Sequence, residues 1–194
     1  MDETRSLLDQ KQYQQDLDDR AREKLGDRFL VFVGLMGAGK SAIGRRVASR
    51  LNMPFLDADQ EIEAAAGKDI ADIFAEHGEA YFRDGEEKVI ERLLKGSASV
   101  LATGGGAVQS ALTRKNIANY GISVWLKADI DLLMERVGRR DNRPLLKTED
   151  PRGVMLALME QRDPLYQLSD MIIESRNVPH EDIVDEIIGA LAAL

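Results

Sequence analysis

The chain has 194 residues, of which 31% are charged and 44% hydrophobic, a composition typical of a globular protein with one sizeable core. Its net charge of −8 argues against a nucleic-acid-binding surface, and the absence of cysteine excludes disulfides, thiolate nucleophiles and zinc–thiolate sites. No apolar run approaches the roughly 20 residues of a membrane-spanning helix, and the polar N-terminus lacks the apolar core of a secretory signal, so we expect a cytoplasmic protein.

Residues 1–27 are mostly polar and charged, and we interpret them as an extension that precedes a domain over residues 28–194. Leu17, Ala21 and Leu25 recur at helical spacing, which favours a surface helix that lies against the domain. A partly ordered tail would explain the low apolar content equally well. We assign no function to this segment.

From Arg28 onward, segments with strand patterns and segments with helix patterns alternate. Strands are predicted over residues 29–33, 54–59, 99–103, 123–127 and 171–174. Helices are predicted over residues 42–51, 61–66, 70–76, 79–95, 111–120, 130–139, 152–161 and 180–194. Glycines at positions 67 and 78 break the helical pattern, and Pro164 ends it because proline restricts the residue before it. This alternation predicts an α/β fold in three layers, with a five-stranded parallel sheet and helices on both faces.

The first predicted strand runs into the motif G-x-x-x-x-G-K-S at residues 34–41, which a helical pattern follows. This is a phosphate-binding loop, or P-loop, in its expected context. Its glycines allow φ > 0, so backbone N–H groups can surround a polyphosphate at the positive end of the helix. Lys40 is placed to reach the β- and γ-phosphates, and the Ser41 hydroxyl to bind Mg²⁺. The alternative is a glycine-rich turn without a ligand, which the complete motif disfavours.

Asp57 and Asp59 end the second predicted strand, where extended geometry would point both side chains to one face. We assign Asp57 to the water shell of Mg²⁺ and Asp59 to a substrate hydroxyl, which it would orient or deprotonate. The alternative for Asp59 is to cap the helix that follows.

Three successive glycines, at residues 104–106, follow Thr103 after the third predicted strand, where many P-loop proteins carry a metal-binding aspartate. This difference also favours Asp57 as the protein carboxylate for the metal. Without Cβ atoms, the glycines let backbone N–H groups approach a ligand closely. A plain turn is the alternative.

Basic residues give further evidence about the ligands of the protein. The simplest explanations are a surface ion pair for Arg83, which precedes Glu86 by one helical turn, and a helix-dipole contact for Arg162. A basic cluster is formed by Arg136, Arg139, Arg140, Arg143 and Lys147. It is either a solvated face or part of a lid over residues 140–151 that would exclude water from bound ATP. These features indicate a small-molecule kinase with an anionic substrate.

The motifs taken together resemble the shikimate kinases. They are the P-loop, D-x-D at residues 57–59, F-R at 82–83, G-G-G-A-V at 104–108, R-P-L-L at 143–146 and R-D-P-L-Y at 162–166. Their order and spacing agree over residues 28–194. The P-loop is shared by many unrelated NTPases, whereas the combination is far more specific. The resemblance implies a P-loop NTPase fold with a lid and a small helical substrate-binding lobe over residues 59–95.

The resemblance also implies a reaction, in which the γ-phosphoryl group of ATP moves to the 3-hydroxyl group of shikimate, with Mg²⁺, on the route to chorismate and the aromatic amino acids. Catalytic residues would be Lys40, Asp59 and Arg143, and metal ligands would be Ser41 and Asp57. ATP would contact Gly37, Ala38, Gly39, Lys40, Ser41, Ala42, Arg136, Arg143 and Pro179, with Arg136 and Pro179 around the adenine. Shikimate would contact Asp59, Arg83, Gly104, Gly105, Gly106 and Arg162. Glu86 would hold Arg83, and Phe74 and Phe82 would form an apolar wall. We expect a monomer that binds neither nucleic acid nor membrane.

Three alternatives stay open at this point. A kinase for gluconate or a nucleoside monophosphate is disfavoured by the triple glycine and the R-D-P-L-Y motif. A nucleotide-dependent switch would suit Asp150 and Gly153, but no apolar strand precedes them and no base-reading N-K-x-D motif occurs. An inactive relative is disfavoured because every position expected to carry catalysis has the expected residue.

Overall fold

A computed structural model of the chain describes residues 2–138 and 148–194, with side chains from Gln12 onward. The strands are β1 (Phe29–Val33), β2 (Phe55–Asp57), β3 (Val100–Ala102), β4 (Gly121–Lys127) and β5 (Met171–Glu174). The helices in these residues are α1 (Asp2–Leu25), α2 (Lys40–Arg50), α3 (Ala58–Ala66), α4 (Ile70–Leu94), α5 (Ala111–Tyr120), α6 (Ile130–Val137), α7 (Pro151–Tyr166) and α8 (His180–Ala193), with a 3₁₀ turn at Ala107–Gln109.

The five strands form one parallel sheet in the order β2-β3-β1-β4-β5, which confirms the predicted fold class. All residues of the central strand β1 are at most 2% exposed, and such a buried strand is encoded as a continuous apolar run. On the outside of the sheet, α2 packs against α8 and α5 packs against α4. Phe32 lies beside Ala102 of β3 and Val124 of β4, so the carboxyl ends of these strands meet at one edge.

Helix α1 forms Asp2–Leu25 of the N-terminal segment, so the helical alternative for this segment is the one observed. Ala21 and Leu25 are fully buried, and α1 lies along α8. Arg50 at the end of α2 pairs with Asp18 of α1 at 2.8 Å and also with Asp185 of α8. The extension is therefore bound to the helix whose first turn follows the P-loop. None of the described helices combines the length and apolar character that a membrane span needs.

The predicted strand end at Asp59 is wrong. Helix α3 begins at Ala58, so Asp59 lies in the first helical turn and not in extended backbone. The helix cap is Asp57, whose Oδ1 accepts a hydrogen bond from the backbone N–H of Asp59 at 3.1 Å. Because this cap satisfies an N–H group at the start of the helix, the helix begins three residues earlier than predicted, at Ala58 and not at residue 61. The alternative that Asp59 is the cap is wrong for the same reason.

The predicted helix end before Pro164 is also wrong. Helix α7 continues to Tyr166 with Pro164 inside its last turn. A proline there removes one backbone hydrogen bond. Two side chains that flank it, Arg162 and Tyr166, both donate to the carbonyl oxygen of Gly105, and these contacts hold the last turn in place.

The predicted break at Gly78 is confirmed. Gly78 has φ 80° and ψ 175° inside α4, which divides the helix into two segments. This combination of angles is almost confined to glycine. The predicted break at Gly67 is also confirmed, because this residue ends α3 with φ 65°. Both glycines shape the predicted substrate-binding lobe.

We expect Gly78→Ala to lower the free energy of unfolding by about 1–3 kcal/mol because alanine is strained at this backbone position. Gly85 gives a matched control in the same helix, since its backbone is helical and no atom lies within 4 Å of an added Cβ. Gly85→Ala should raise the free energy of unfolding by about 0.5–1 kcal/mol. Urea unfolding of both variants measures the two changes, and equal effects would contradict the conformation assigned to Gly78.

Candidate active site

The P-loop joins β1 to α2 with the backbone that its glycines predict. The angle φ is 134° at Gly34, 85° at Gly37 and 100° at Gly39. Gly39 occupies the N-cap of α2 and has no side chain with which to cap it. The N–H groups of the first turn are therefore placed to bind an anion.

Lys40 begins α2 and lies over the P-loop. Its side chain is almost buried, and Nζ donates to the carbonyl oxygens of Gly34 at 2.7 Å and Leu35 at 3.0 Å. These contacts fix a positive charge at the start of the loop. This is the position from which a P-loop lysine reaches the terminal phosphates.

A cleft of about 380 Å³ lies over the carboxyl ends of the strands. Its lining includes the predicted nucleotide residues Gly37, Ala38, Gly39, Lys40, Ser41, Ala42 and Arg136, and the predicted substrate and metal residues Asp57, Asp59, Gly104 and Gly105. One cleft thus contains most of the predicted nucleotide and metal residues and part of the predicted substrate group. Its lining does not include the predicted residues Arg83, Gly106, Arg162 and Pro179. The volume lies within the range of small-molecule sites, about 300–1,000 Å³.

Ser41 and Asp57 form the corner of this cleft that suits a metal ion. The Ser41 hydroxyl donates to Oδ2 of Asp57 at 2.6 Å. The described residues contain no cluster of three or more His, Cys, Asp or Glu that could hold a metal. Mg²⁺ usually takes one or two protein oxygens and completes its shell with phosphates and water, so this pair fits Mg²⁺.

Arg83 and Glu86 form a largely buried ion pair, so the surface pair is the wrong alternative for them. Arg83 Nη1 lies 2.7 Å from Glu86 Oε2, and the two side chains are 24% and 3% exposed. Burial raises the pKa of Glu86, and Arg83 offsets this only in part. At the more exposed Arg83, burial alone would lower the pKa, but Glu86 and Glu79 outweigh it and the pKa is raised. The pair fixes the guanidinium, which also lies 5.0 Å from the centre of the Phe82 ring.

The three glycines allow charged groups to approach the backbone at this edge of the sheet. A Cβ atom at Gly104 would lie 2.5 Å from Oε1 of Glu86 and 3.0 Å from Oδ1 of Asp59. A Cβ atom at Gly106 would clash with the Arg83 guanidinium. The glycine run is therefore more than a plain turn, because side chains at two of its positions would displace the charged groups around it.

Arg162 reaches the middle of the glycine run from α7. It is 2% exposed, and Nη1 donates to the carbonyl oxygen of Gly105 at 3.1 Å. Burial lowers the pKa of Arg162, and the nearby Arg83 lowers it further. These two guanidinium groups repel each other beside the glycine run, and a carboxylate bound between them would stabilise both.

Tyr166 supports this arrangement and was not predicted as a site residue. Its hydroxyl donates to the carbonyl oxygen of Gly105, and burial raises the pKa of the hydroxyl, so it stays protonated. Its ring stacks on Trp125 with centroids 5.7 Å apart. The R-D-P-L-Y motif contained Tyr166, but its spacing of one helical turn from Arg162 has meaning only if the helix continues past Pro164.

The opposite end of the cleft is organised by Arg136. Its guanidinium donates to Oγ of Ser175 at 2.8 Å and to the carbonyl oxygen of Arg176 at 2.9 Å. Ser175, Arg176 and His180 line the cleft, although the sequence did not single them out. Their position just after β5 is the signal that could have found them, because ligands bind beyond the carboxyl ends of parallel strands. Pro179 occupies the N-cap position of α8, and its place in an adenine site stays a prediction.

Some predicted residues are not tested by this geometry. Arg143 lies outside the described residues, as do Arg139, Arg140 and Lys147 and most of the predicted lid. The rings of Phe74 and Phe82 have centroids 4.7 Å apart, and Phe82 is buried in a small second core with Ile62 and Ile73. Their role as an apolar wall against a substrate stays a prediction.

The elements that suggested a nucleotide-dependent switch have a structural explanation. Asp150 caps α7, and its Oδ1 accepts a hydrogen bond from the N–H group of Gly153 at 2.9 Å. This is an ordinary helix cap. The spacing of these two residues therefore gives no support to the switch.

A P-loop after the central strand of a five-stranded parallel sheet defines a P-loop NTPase, and the charged groups around the glycine run define a small-molecule kinase within that class. The family model for shikimate kinase matches residues 36–192 of the chain. The chain belongs to the shikimate kinase family.

Individual relatives agree with this assignment. The shikimate kinase of Bradyrhizobium diazoefficiens is 57% identical over 169 residues, which cover 87% of this chain and 82% of that protein. The shikimate kinase of Rhizobium leguminosarum bv. trifolii is 53% identical over 175 residues, 90% of this chain and 89% of that protein. The structure of shikimate kinase from Acinetobacter baumannii in complex with shikimate superimposes with a TM-score of 0.85 at 37% identity, covering 89% of this chain and 97% of that one.

A gluconokinase from Sinorhizobium meliloti gives a TM-score of 0.60 at 18% identity, with 86% of this chain and 93% of that one covered. A likeness at this identity extends to the fold alone. It gives no support to gluconate as the substrate.

Proposed function

We propose that this chain transfers the γ-phosphoryl group of ATP to the 3-hydroxyl group of shikimate. One observation supports the proposal most strongly. The P-loop, Asp59 and the two arginines Arg83 and Arg162 lie close together at one edge of the sheet. The Acinetobacter baumannii relative, which has this fold, was solved with shikimate bound.

The substrate carboxylate binds between Arg83 and Arg162. Both guanidinium groups lie against the glycine run, and Arg162 is desolvated there. Planar guanidinium groups bind carboxylates with two parallel hydrogen bonds, which fixes orientation as well as position. Asp59 lies beside Gly104, so a ring held by its carboxylate can present a hydroxyl group to Asp59.

Asp59 orients this hydroxyl group toward the nucleotide. Phosphoryl transfer through a loose transition state needs little help from a base, so positioning is its principal role. The pH dependence of kcat in the wild type and in Asp59→Asn separates this role from proton abstraction.

ATP binds with its phosphates on the P-loop, where backbone N–H groups and Lys40 compensate the negative charge. Ser41 and Asp57 would hold Mg²⁺, which when bound supplies positive charge to the β- and γ-phosphates. Arg136, Ser175 and Arg176 contact the nucleotide at the adenine end of the cleft.

A substrate panel tests the proposal. The purified chain is supplied with ATP, Mg²⁺ and one acceptor, and ADP release is followed with coupled enzymes. We expect turnover with shikimate and none above background with gluconate or nucleoside monophosphates. A chain that consumes ATP only with another acceptor would overturn the proposed function.

Several expectations extend this proposal. Residues 140–151 close over bound ATP as a lid, with Arg143 on the phosphates, and residues 59–95 act as the substrate-binding lobe. The chain acts as a cytoplasmic monomer. These points rest on the resemblance and on the sequence pattern.

A further inference from the structure

Gln109 lies at the end of the 3₁₀ turn that follows the glycine run, beside the buried guanidinium of Arg162. A buried guanidinium needs acceptors for its N–H groups, because an unpaired charged donor is costly away from water. The carbonyl oxygen of Gly105 accepts from Nη1. The Gln109 side chain provides the acceptor on the other side.

The side-chain amide of Gln109 lies against the Arg162 guanidinium, and we assign its oxygen to the side that faces the guanidinium. In this orientation the oxygen accepts from Nε at 2.7 Å and from Nη2 at 2.9 Å. The opposite orientation would place an amide donor against two guanidinium donors, so hydrogen-bond chemistry selects the oxygen. The backbone beneath is also held, because Arg114 donates to the carbonyl oxygen of Gln109 at 3.0 Å.

Gln109 and the carbonyl oxygen of Gly105 accept from all three guanidinium nitrogens, and each terminal nitrogen keeps a second N–H group for a ligand. Gln109 occupies the edge formed by Nε and Nη2. The edge formed by the two terminal nitrogens carries the parallel N–H groups that bind a carboxylate with two hydrogen bonds. Fixing the first edge therefore sets the direction in which the second edge meets the substrate.

The Gln109 amide that accepts from Arg162 is also neutral, whereas the acceptors of the neighbouring Arg83 are charged carboxylates. Arg83 is paired with two carboxylates, those of Glu79 and Glu86. Arg162 is held by a backbone carbonyl and an amide, so its contacts position it without cancelling its charge. A substrate carboxylate would meet, in a desolvated site, a charge with which no carboxylate of the described residues is directly paired.

We propose that Gln109 is a positioning residue that orients the Arg162 guanidinium toward the substrate carboxylate and keeps its charge available. The inference rests on the proposed function, since it assumes that the carboxylate of shikimate is bound by Arg162. It assigns a role in substrate selection to a residue outside the P-loop and outside the glycine run.

Two substitutions separate the two parts of this role. Gln109→Leu keeps the size but removes the acceptor, and should raise KM for shikimate about tenfold or more, with kcat and KM for ATP within about twofold of the wild type. Gln109→Glu keeps the acceptor but pairs Arg162 with a carboxylate, and should also raise KM for shikimate. The KM for the carboxamide analogue of shikimate should rise less in Gln109→Glu than the KM for shikimate, because the analogue carries no charge.

Controls make the outcome specific. Lys115→Ala, an exposed change on the neighbouring helix α5, should leave both KM values unchanged. In an Arg162→Ala background, Gln109→Leu should have little further effect on KM for shikimate, whereas in an Arg83→Ala background its full effect should persist. Thermal unfolding verifies that each variant is folded, and Gln109→Met replaces Gln109→Leu if the latter is not.

The results that overturn the inference differ from those that overturn the proposed function. An active wild type with unchanged KM for shikimate in Gln109→Leu, or with equal increases in both KM values, would overturn the role of Gln109 alone. A wild type that does not phosphorylate shikimate would overturn the proposed function and this inference with it.

Discussion

Arg162→Ala is expected to weaken shikimate binding by about 30-fold to several thousand-fold, the equivalent of about 2–5 kcal/mol, while ATP binding stays nearly unchanged. The guanidinium is desolvated and lies against Gly105, so a carboxylate bound to it gains most of its stabilisation from a charge that water does not screen. The nucleotide is expected to contact the P-loop backbone and Lys40, and these groups keep their own contacts when Arg162 is replaced. Isothermal titration with each ligand measures the two affinities independently.

Arg152→Ala is the matched control for this substitution. Arg152 lies in the same helix, α7, and forms an ion pair with Asp131. The Arg152 side chain is 51% exposed, far more than that of Arg162. Its loss should change neither affinity, because exposed ion pairs contribute little. Equal losses of shikimate and ATP affinity in Arg162→Ala would contradict the assignment of Arg162 to the substrate.

Lys40→Ala is expected to lower kcat by a factor on the order of 10² or more, by analogy with the removal of one fixed donor that stabilises transition-state charge. Lys40 is almost buried over the P-loop, where charge on the transferred group would be compensated. Steady-state kinetics at saturating ATP and shikimate separates this loss from a loss of binding.

Lys88→Ala gives the corresponding control, since Lys88 pairs with Asp84 on the surface of α4 and its side chain is 70% exposed. It should leave kcat unchanged. An unchanged kcat in Lys40→Ala, in a variant whose thermal unfolding matches that of the wild type, would contradict the role of Lys40 at the phosphates.

The features that the sequence predicted well depend on short stretches of chain. The apolar run of β1 indicates a buried strand, and the spacing of Gly34, Gly37 and Gly39 indicates a loop with positive φ. The break at Gly78 is of the same kind, because it follows from the conformational freedom of one residue. Local physical chemistry therefore predicted the sheet and the phosphate-binding end of the cleft.

Two of the features that it predicted badly depend on residues far apart in the chain. Helix α7 continues past Pro164 because Arg162 and Tyr166 contact Gly105, which is 57 residues away from Arg162 along the chain. The burial of the Arg83–Glu86 pair depends on its packing beside the glycine run. Neither can be found from helical spacing alone, which predicts the same surface pair in any exposed helix.

The arrangement of the two arginines also shows why the sequence indicated an anionic substrate but not the place where it binds. A pattern of basic residues indicates charge, but only the fold shows that Arg162 and the Arg83–Glu86 pair are largely buried. Gln109 is the residue least accessible to sequence analysis, because a glutamine after a glycine run matches no motif. Its role emerges only from the guanidinium that it faces.

The most direct measurement is a crystal structure of the chain with shikimate and a non-hydrolysable ATP analogue. We expect the shikimate carboxylate between Arg83 and Arg162, and its 3-hydroxyl group beside Asp59 and facing the γ-phosphate near Lys40. Shikimate bound at another surface, away from Lys40, would contradict the proposal that both substrates meet at this edge of the sheet.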